Sequence, residues 1–325
     1  TNGLNGINVS PQDGRVYVAS VGGDEITVHN PRSGKVVDRI GPERGVGGPD
    51  DVFITEDGIV YWTEILTGFV GRLDQDTGAY TRQFVGPGVN PITMSDDGRL
   101  FVGRLFLGSG LYELDPDLVA TPELLNPALN INAFDFGPDG LLYAPLFFEG
   151  KVATIDVDNP LVPPVILEEG FRVPSAVKLD SLGRVHVADL ADGKVWRLNP
   201  SGPNEVLVEI EGTIDNIAFN DRDHLYIAAG PDNQIIRYTD QRTKALSQPG
   251  LGSPGGVAVS PDGTVWVAEF FALRGFEDSR KDWARSYYDR FDPPGTAFAG
   301  AQTVSADGDN LILSNGFSNS VQVLD

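Results

Sequence analysis

The chain has no cysteine, one methionine and three histidines in 325 residues. Without cysteine there is no disulfide, no thiolate nucleophile and no thiolate metal ligand. The histidines offer little to catalysis. His186 falls mid-strand, where other repeats carry Tyr17, Tyr61, Phe101, Tyr143, Tyr226 and Trp266. His224 falls in a turn and His29 ends a strand, so a Ser-His-Asp triad has no support. Basic residues are also scarce: 24 Lys and Arg stand against 46 Asp and Glu, a formal net charge of -22. That balance excludes nucleic acid as a partner and disfavours anionic membranes, because both need basic patches. No apolar run approaches the roughly 18 residues of a membrane-spanning helix. Helical 3.6-residue periodicity is nearly absent. The sequence begins at Thr1, for which a cleaved secretion signal and trimming are both explanations. A secreted or periplasmic location is therefore the weak expectation, with a cytoplasmic one open.

Turn formers, in contrast, are plentiful: 39 glycines and 23 prolines, dispersed along the chain. They punctuate short apolar runs. Val52 to Thr55 and Ile59 to Thr63 flank Glu56-Asp57-Gly58, and Asp-Gly between apolar runs signals a β-hairpin. This unit recurs eight times, with second strands beginning at Val16, Val60, Leu100, Leu142, Val185, Leu225, Val265 and Leu311. Positions equivalent to Asp50 are 5, 50, 90, 132, 175, 215, 255 and 300. Their spacing of 40 to 45 residues is the period of a four-stranded propeller blade. The expected fold is all-β, a single β-propeller domain over 1–325, with eight blades favoured and seven possible. The last copy ends after its third strand. An irregular stretch, 270–288, interrupts the seventh repeat; Trp283 and Tyr287 four residues apart predict a short amphipathic helix there, as a decoration or a lid.

A hairpin returns to the edge it left, so the residue before the first strand and the residue ending the second share one face of the disc. The inner ring on that face reads Asn5, Asp50, Asn90, Asn132, Ser175, Asp215, Gly255 and Gly300. The outer ring includes Glu64, Arg104, Asp189 and Glu269. Such oxygen-rich sets suit a hard divalent cation, although Asn and Asp also cap turns. Phe147, Phe148, Phe270 and Phe271, with Phe106, leave second strands on the same face. They would form an apolar rim, which Arg274 and Trp283 of the insert would join.

Leu4-Asn5-Gly6-Ile7-Asn8-Val9-Ser10, Pro49-Asp50-Asp51-Val52 and Pro254-Gly255-Gly256-Val257-Ala258-Val259-Ser260-Pro261-Asp262-Gly263 resemble the repeats of the gluconolactonase/luciferin-regenerating-enzyme propellers. They also resemble the related NHL and streptogramin lyase-like propellers. The resemblance covers nearly the whole chain. Lactonases of that family have six blades and bind a divalent cation through Glu, Asn and Asp at strand entrances. The resemblance implies a cation, calcium first and magnesium or manganese next, on Asn5, Asp50, Asn132 and Asp215. The early Glu of the family pattern has no counterpart here.

The expected function is metal-assisted hydrolysis of a small lactone or ester in the central funnel of a monomer. Asp50, Asp215 or Glu64 would be the general base, and Arg104 would steady the oxyanion. Asn90 and Asp189 would line the pocket. A carbon–oxygen lyase of the streptogramin lyase type is one alternative. A binding propeller without catalysis is the other.

Overall fold

Hairpins with apolar strands and Gly-containing turns leave each repeat one route to bury its faces, which is to stack on the next. The computed structural model shows the outcome for residues 4–229, 234–247, 256–261, 263–268, 272–276, 285–288, 301–307, 310–315 and 320–324. Each of the eight repeats forms one antiparallel sheet in simple meander order. Seven sheets are four-stranded and the last is three-stranded. The sole helical turn is the 3-10 segment Pro42–Arg44 among the described residues. The fold is a β-propeller.

Burial within a sheet falls from the inner strands outward. The second strand of the second repeat, Ile59–Glu64, is buried at every position. Its fourth strand, Tyr80–Phe84, is mostly exposed. In the hairpin turns only one residue takes positive φ among the described residues. It is Gly58 at 83° in the second repeat and Gly98 at 85° in the third. Asp and Gly both tolerate that region. Asp57 stays at negative φ and accepts from the Thr55 hydroxyl. In the sixth turn, which lacks glycine, Asp223 adopts φ 56°.

Sheet packing fixes the ring. The inner strands Leu4–Val9, Val52–Ile54, Val89–Met94, Asp135–Phe136, Pro174–Leu179 and Ile214–Phe219 follow one another, and the sixth then packs on the first. The cores lie between neighbouring sheets. Tyr17 and Ile26 of the first meet Val52 and Trp62 of the second. At the closing seam Ile7, Val16 and Val18 of the first sheet meet Ala218, Tyr226 and Ala228 of the sixth. Side chains of this size stabilise by about 1.5–3 kcal/mol each on full burial, so the seam is held by the same apolar interdigitation as every other joint.

Eight repeats therefore give eight sheets, while the first six close a ring among themselves. Among the described residues the apolar face of the first sheet is covered by the sixth. The seventh and eighth sheets pack on each other through Gly256–Val259 and Ala301–Asp307. At Tyr287 and Tyr288 the 270–288 stretch is not the expected helix. Ala272–Phe276 is the third strand of the seventh sheet and Arg285–Tyr288 pairs with it as the fourth. A sheet with a free third-strand edge needs a partner for its backbone groups, and the aromatic pair Tyr287-Tyr288 suits a strand.

Candidate functional site at the channel mouth

Five of the six ring residues, Asn5, Asp50, Asn90, Ser175 and Asp215, keep a common register. Ile7, Val52, Ile92, Val177 and Ile217 sit opposite the middle residue of their second strands, and each ring residue lies two positions earlier. In several repeats that residue is the extra one in a β-bulge. The pairing slips between Pro174 and Ala176, leaving Ser175 unpaired, and between Ile214 and Asn216, leaving Asp215 unpaired. Bulges re-aim side chains and recur beside functional sites. Here they occur where the inner strands enter the channel.

Asp50 and Asp215 are brought together. Asp50 is 5% exposed, and its carboxyl is held well above the ordinary carboxylate range, first by burial, then by the charges of Asp215 and Asp51. Asp215 keeps some solvent contact, and its carboxyl is pushed up to about 7 by burial and by Asp51. Among the described residues neither carboxylate accepts a hydrogen bond. The side-chain amides of Asn5, Asn90 and Asn132 are likewise uncommitted among the described residues, and Asn90 and Asn132 are buried. Ser175 differs: its hydroxyl donates to the Ile214 carbonyl at 2.9 Å and the Ala188 carbonyl at 3.3 Å.

Beneath this layer lies a polar set that the ring positions did not reveal. Asp51 accepts from Val52 N at 2.9 Å, Ile92 N at 3.2 Å and Asn216 Nδ2 at 3.0 Å. Burial nonetheless raises it to about 6, against the opposing pull of Lys178 and these donors. Lys178 is buried and donates from Nζ to the Phe134 carbonyl at 2.9 Å. Its charge also opposes the burial-driven rise of Asp135, which accepts from Phe136 N and Leu179 N. Asp51 and Asn216 lie one residue after the ring position, and Asp135 and Lys178 three after it. The available signal for Asp51 and Asn216 was a polar residue where sister repeats carry Gly6, Pro91, Ala133 and Ala176; for Asp135 and Lys178 it was a charge where they carry Asn8, Phe53, Thr93 and Ala218.

Other expected site residues are held in structural contacts. Glu64 is fully buried, with Oε1 accepting from Trp62 Nε1 at 3.1 Å and Oε2 from Thr67 Oγ1 at 2.5 Å. Arg82 completes an ion pair with it. Arg104 donates to the Pro87 carbonyl from Nε at 3.0 Å and Nη2 at 2.8 Å, and to Tyr112 Oη at 3.3 Å. Asp189 accepts from Arg172 N and Val173 N at 2.8 and 3.0 Å. Residues ending second strands stand where the chain turns sharply, and the polar groups of the neighbouring turn and strands engage them. Arg274 is buried mid-strand in the seventh sheet rather than on a lid. Glu269, Phe270, Phe271 and Trp283 lie outside the described residues. The aromatic rim is present in part. Phe106, Phe147 and Phe148 touch edge to face with centroids 5.1 to 5.8 Å apart, Phe147 buried and the other two exposed. His186 is buried with its ring tilted against Phe219, and burial lowers it to about 4, in keeping with a packing role.

Two carboxylates without donors, forced together, are a donor set that a hard cation would neutralise. Among the described residues no three His, Asp or Glu side chains gather as a ready ligand set. Amide oxygens of the Asn5 and Asn132 type would have to complete the coordination, and their uncommitted state fits that need.

No family model and no curated protein matches the sequence. Solved structures match at the level of fold. A streptogramin B lyase structure aligns with TM-score 0.58 and 18% identity over 82% of this chain and 91% of that one. A gluconolactonase from Xanthomonas campestris aligns with TM-score 0.58 and 16% identity over 71% and 84%. A chain of the nidogen/laminin complex aligns with TM-score 0.58 and 18% identity over 70% and 91%. In fold, this chain stands with the propellers of the gluconolactonase, streptogramin lyase and nidogen type.

Proposed function

We propose that the protein is a metal-assisted hydrolase of a small lactone or ester, acting at the channel mouth over Asp50 and Asp215. What carries the reading is the pairing of buried Asp50 with half-buried Asp215, with no hydrogen-bond donor on either among the described residues. Asp50, Asp215, Asn5 and Asn132 would hold the cation. When bound, it supplies polarisation of the substrate carbonyl and acidification of water. Asp215 is the more open of the two carboxylates. It is suited to take a proton from the attacking water on a carboxylate oxygen and to return it to the leaving alkoxide. Asp51, fixed by three donors, adds its charge beneath the pair and disfavours ionisation of both. Phe106 and Phe148 shield the mouth from bulk water and give the substrate an apolar contact.

Glu64 and Arg104 have no part in this chemistry, since their polar atoms are engaged elsewhere. The same Asp215 oxygen could instead take a proton from carbon. That makes elimination the second reading, supported in fold by the likeness to a streptogramin B lyase. The test is cation content after dialysis, together with turnover of a panel of small lactones and aryl esters by wild type, Asp50→Asn and Asp215→Asn. Hydrolysis that needs an added divalent cation and falls at least about a hundredfold in either variant is expected. A chain that retains no cation and turns over none of the panel, with or without cation, would sink the hydrolase reading. An unsaturated product in place of the hydroxy acid would select the lyase.

A further inference from the structure

The opposite face of the ring carries a second site. A cavity of about 630 Å³ opens among the turns between the first and sixth blades. It is within the size range of small-molecule pockets. Arg32, Arg222 and Arg237 line it, with His224, Tyr226 and Phe219. In a chain of net charge -22 many arginines of the described residues are paired: Arg39, Arg99, Arg184 and Arg197 each hold a carboxylate. Among the described residues Arg32, Arg222 and Arg237 make no ion pair. Two aspartates also line the cavity. Asp13 already has its own partner in Arg15 at 3.2 Å, which leaves Asp221 against three arginines.

The turn holds these groups in place. Asn220 Oδ1 accepts from Arg222 N at 3.0 Å and His224 N at 2.9 Å, which pins the sixth-blade turn. Arg237 reaches across the seam and donates from Nη1 to the Pro31 carbonyl at 3.1 Å, beside Arg32. It also hydrogen-bonds Tyr226, and its Nε–H is buried without an acceptor. Val9, Pro11 and Phe219 supply apolar wall.

We propose that this cavity binds a small molecule carrying a phosphate group, through Arg32, Arg222 and Arg237. Guanidinium forks match the oxygens of a tetrahedral oxyanion, and three of them exceed what a single carboxylate needs. The volume leaves room for an organic body against Phe219 and the prolines. The site is on the face away from Asp50 and Asp215, so its occupancy does not depend on what happens there.

The test titrates the full chain by calorimetry with inorganic phosphate, phenyl phosphate and succinate. One saturable site is expected, tighter for phenyl phosphate than for phosphate and weakened by salt. Arg32→Ala with Arg222→Ala, both exposed side chains, should weaken it at least about tenfold with an unchanged circular dichroism spectrum. A second measurement uses wild type alone: arginine labelling by phenylglyoxal, mapped by peptide mass. Phenyl phosphate should protect Arg32 and Arg222 several-fold relative to Arg39, which is exposed and far from the cavity. No binding, binding indifferent to the double variant, equal protection of Arg39, or succinate binding more tightly than phosphate would each overturn the proposal.

Discussion

Asn216 Nδ2 donates a 3.0 Å hydrogen bond to Asp51 Oδ1, joining the sixth blade to the second past the inner strand of the first. Asp51 also receives Ile92 N from the third blade, so one carboxylate binds three blades at the channel wall. Removing it strands a buried amide, a backbone N–H and the charge of Lys178. Asp51→Ala is expected to cost about 3–5 kcal/mol, and Asn216→Ala about 1–2 kcal/mol. Urea unfolding of both singles and the double should show a coupling energy above about 0.5 kcal/mol. Additive losses would mean that the bond contributes nothing.

The same bond explains Gly6. A Cβ there would stand 2.4 Å from Asp51 Oδ1 and 2.5 Å from Asp51 Cα, and Gly6 N donates to the Asp50 carbonyl at 2.6 Å. The obstacle is backbone, which cannot swing aside. Gly6→Ala should lower stability by about 1–3 kcal/mol and disturb the Asp50 carboxylate as well. A melting temperature equal to wild type would show that the first and second blades are not in this close contact.

The repeat hairpins, their register and the ring of polar entrances were legible in the sequence, because strand alternation and turn residues are local signals. Blade closure was not. The seventh repeat keeps the hairpin pattern of the sixth, and its Gly255 and the 270–288 interruption do not say where the ring ends; the fit of Tyr226 and Ala228 against Ile7 and Val18 does. Asp50 and Asp215 were legible as a pair because they share a register. For Glu64 and Arg104 the repeat gave position alone: their contacts with Trp62, Thr67 and Arg82, and with Pro87, are specific to one blade.

Glu64 separates position from chemistry. Glu64→Gln keeps an acceptor for Trp62 Nε1 and loses the Arg82 ion pair, whose arginine is about one-third exposed. A loss of about 1–2 kcal/mol in unfolding free energy is expected, with kcat within twofold of wild type on whichever lactone or ester is turned over. A folded variant with kcat reduced a hundredfold would return Glu64 to the reaction.

The channel carboxylates should set an unusual pH dependence when cations are stripped by chelation. Asp50, Asp51 and Asp215 all have folded pKa values raised above the unfolded value of 3.8, Asp51 to about 6 and Asp215 to about 7. A raised folded pKa means the folded state binds more protons. The stability these groups contribute is therefore fully present below about pH 4 and is lost as pH rises through 6 and 7. Carboxylates lowered by turn amides, such as Asp74 and Asp115, act in the opposite sense, losing their contribution as pH falls below the unfolded value. The two windows do not overlap, so the melting temperature of chelated protein should fall between pH 4 and 7. In Asp50→Asn the fall should be shallower, because one buried charge and its repulsion of Asp215 are gone. Adding calcium to wild type at pH 7 should reverse the fall. At about 100-fold excess over Kd the gain is about 2.7 kcal/mol, and roughly 2–4 °C should appear for each kcal/mol. Asp50→Asn should lose most of that calcium response while being the more stable protein without it. Identical pH profiles for the two proteins, or an equal calcium shift in both, would show that Asp50 and Asp215 neither repel each other nor share a cation.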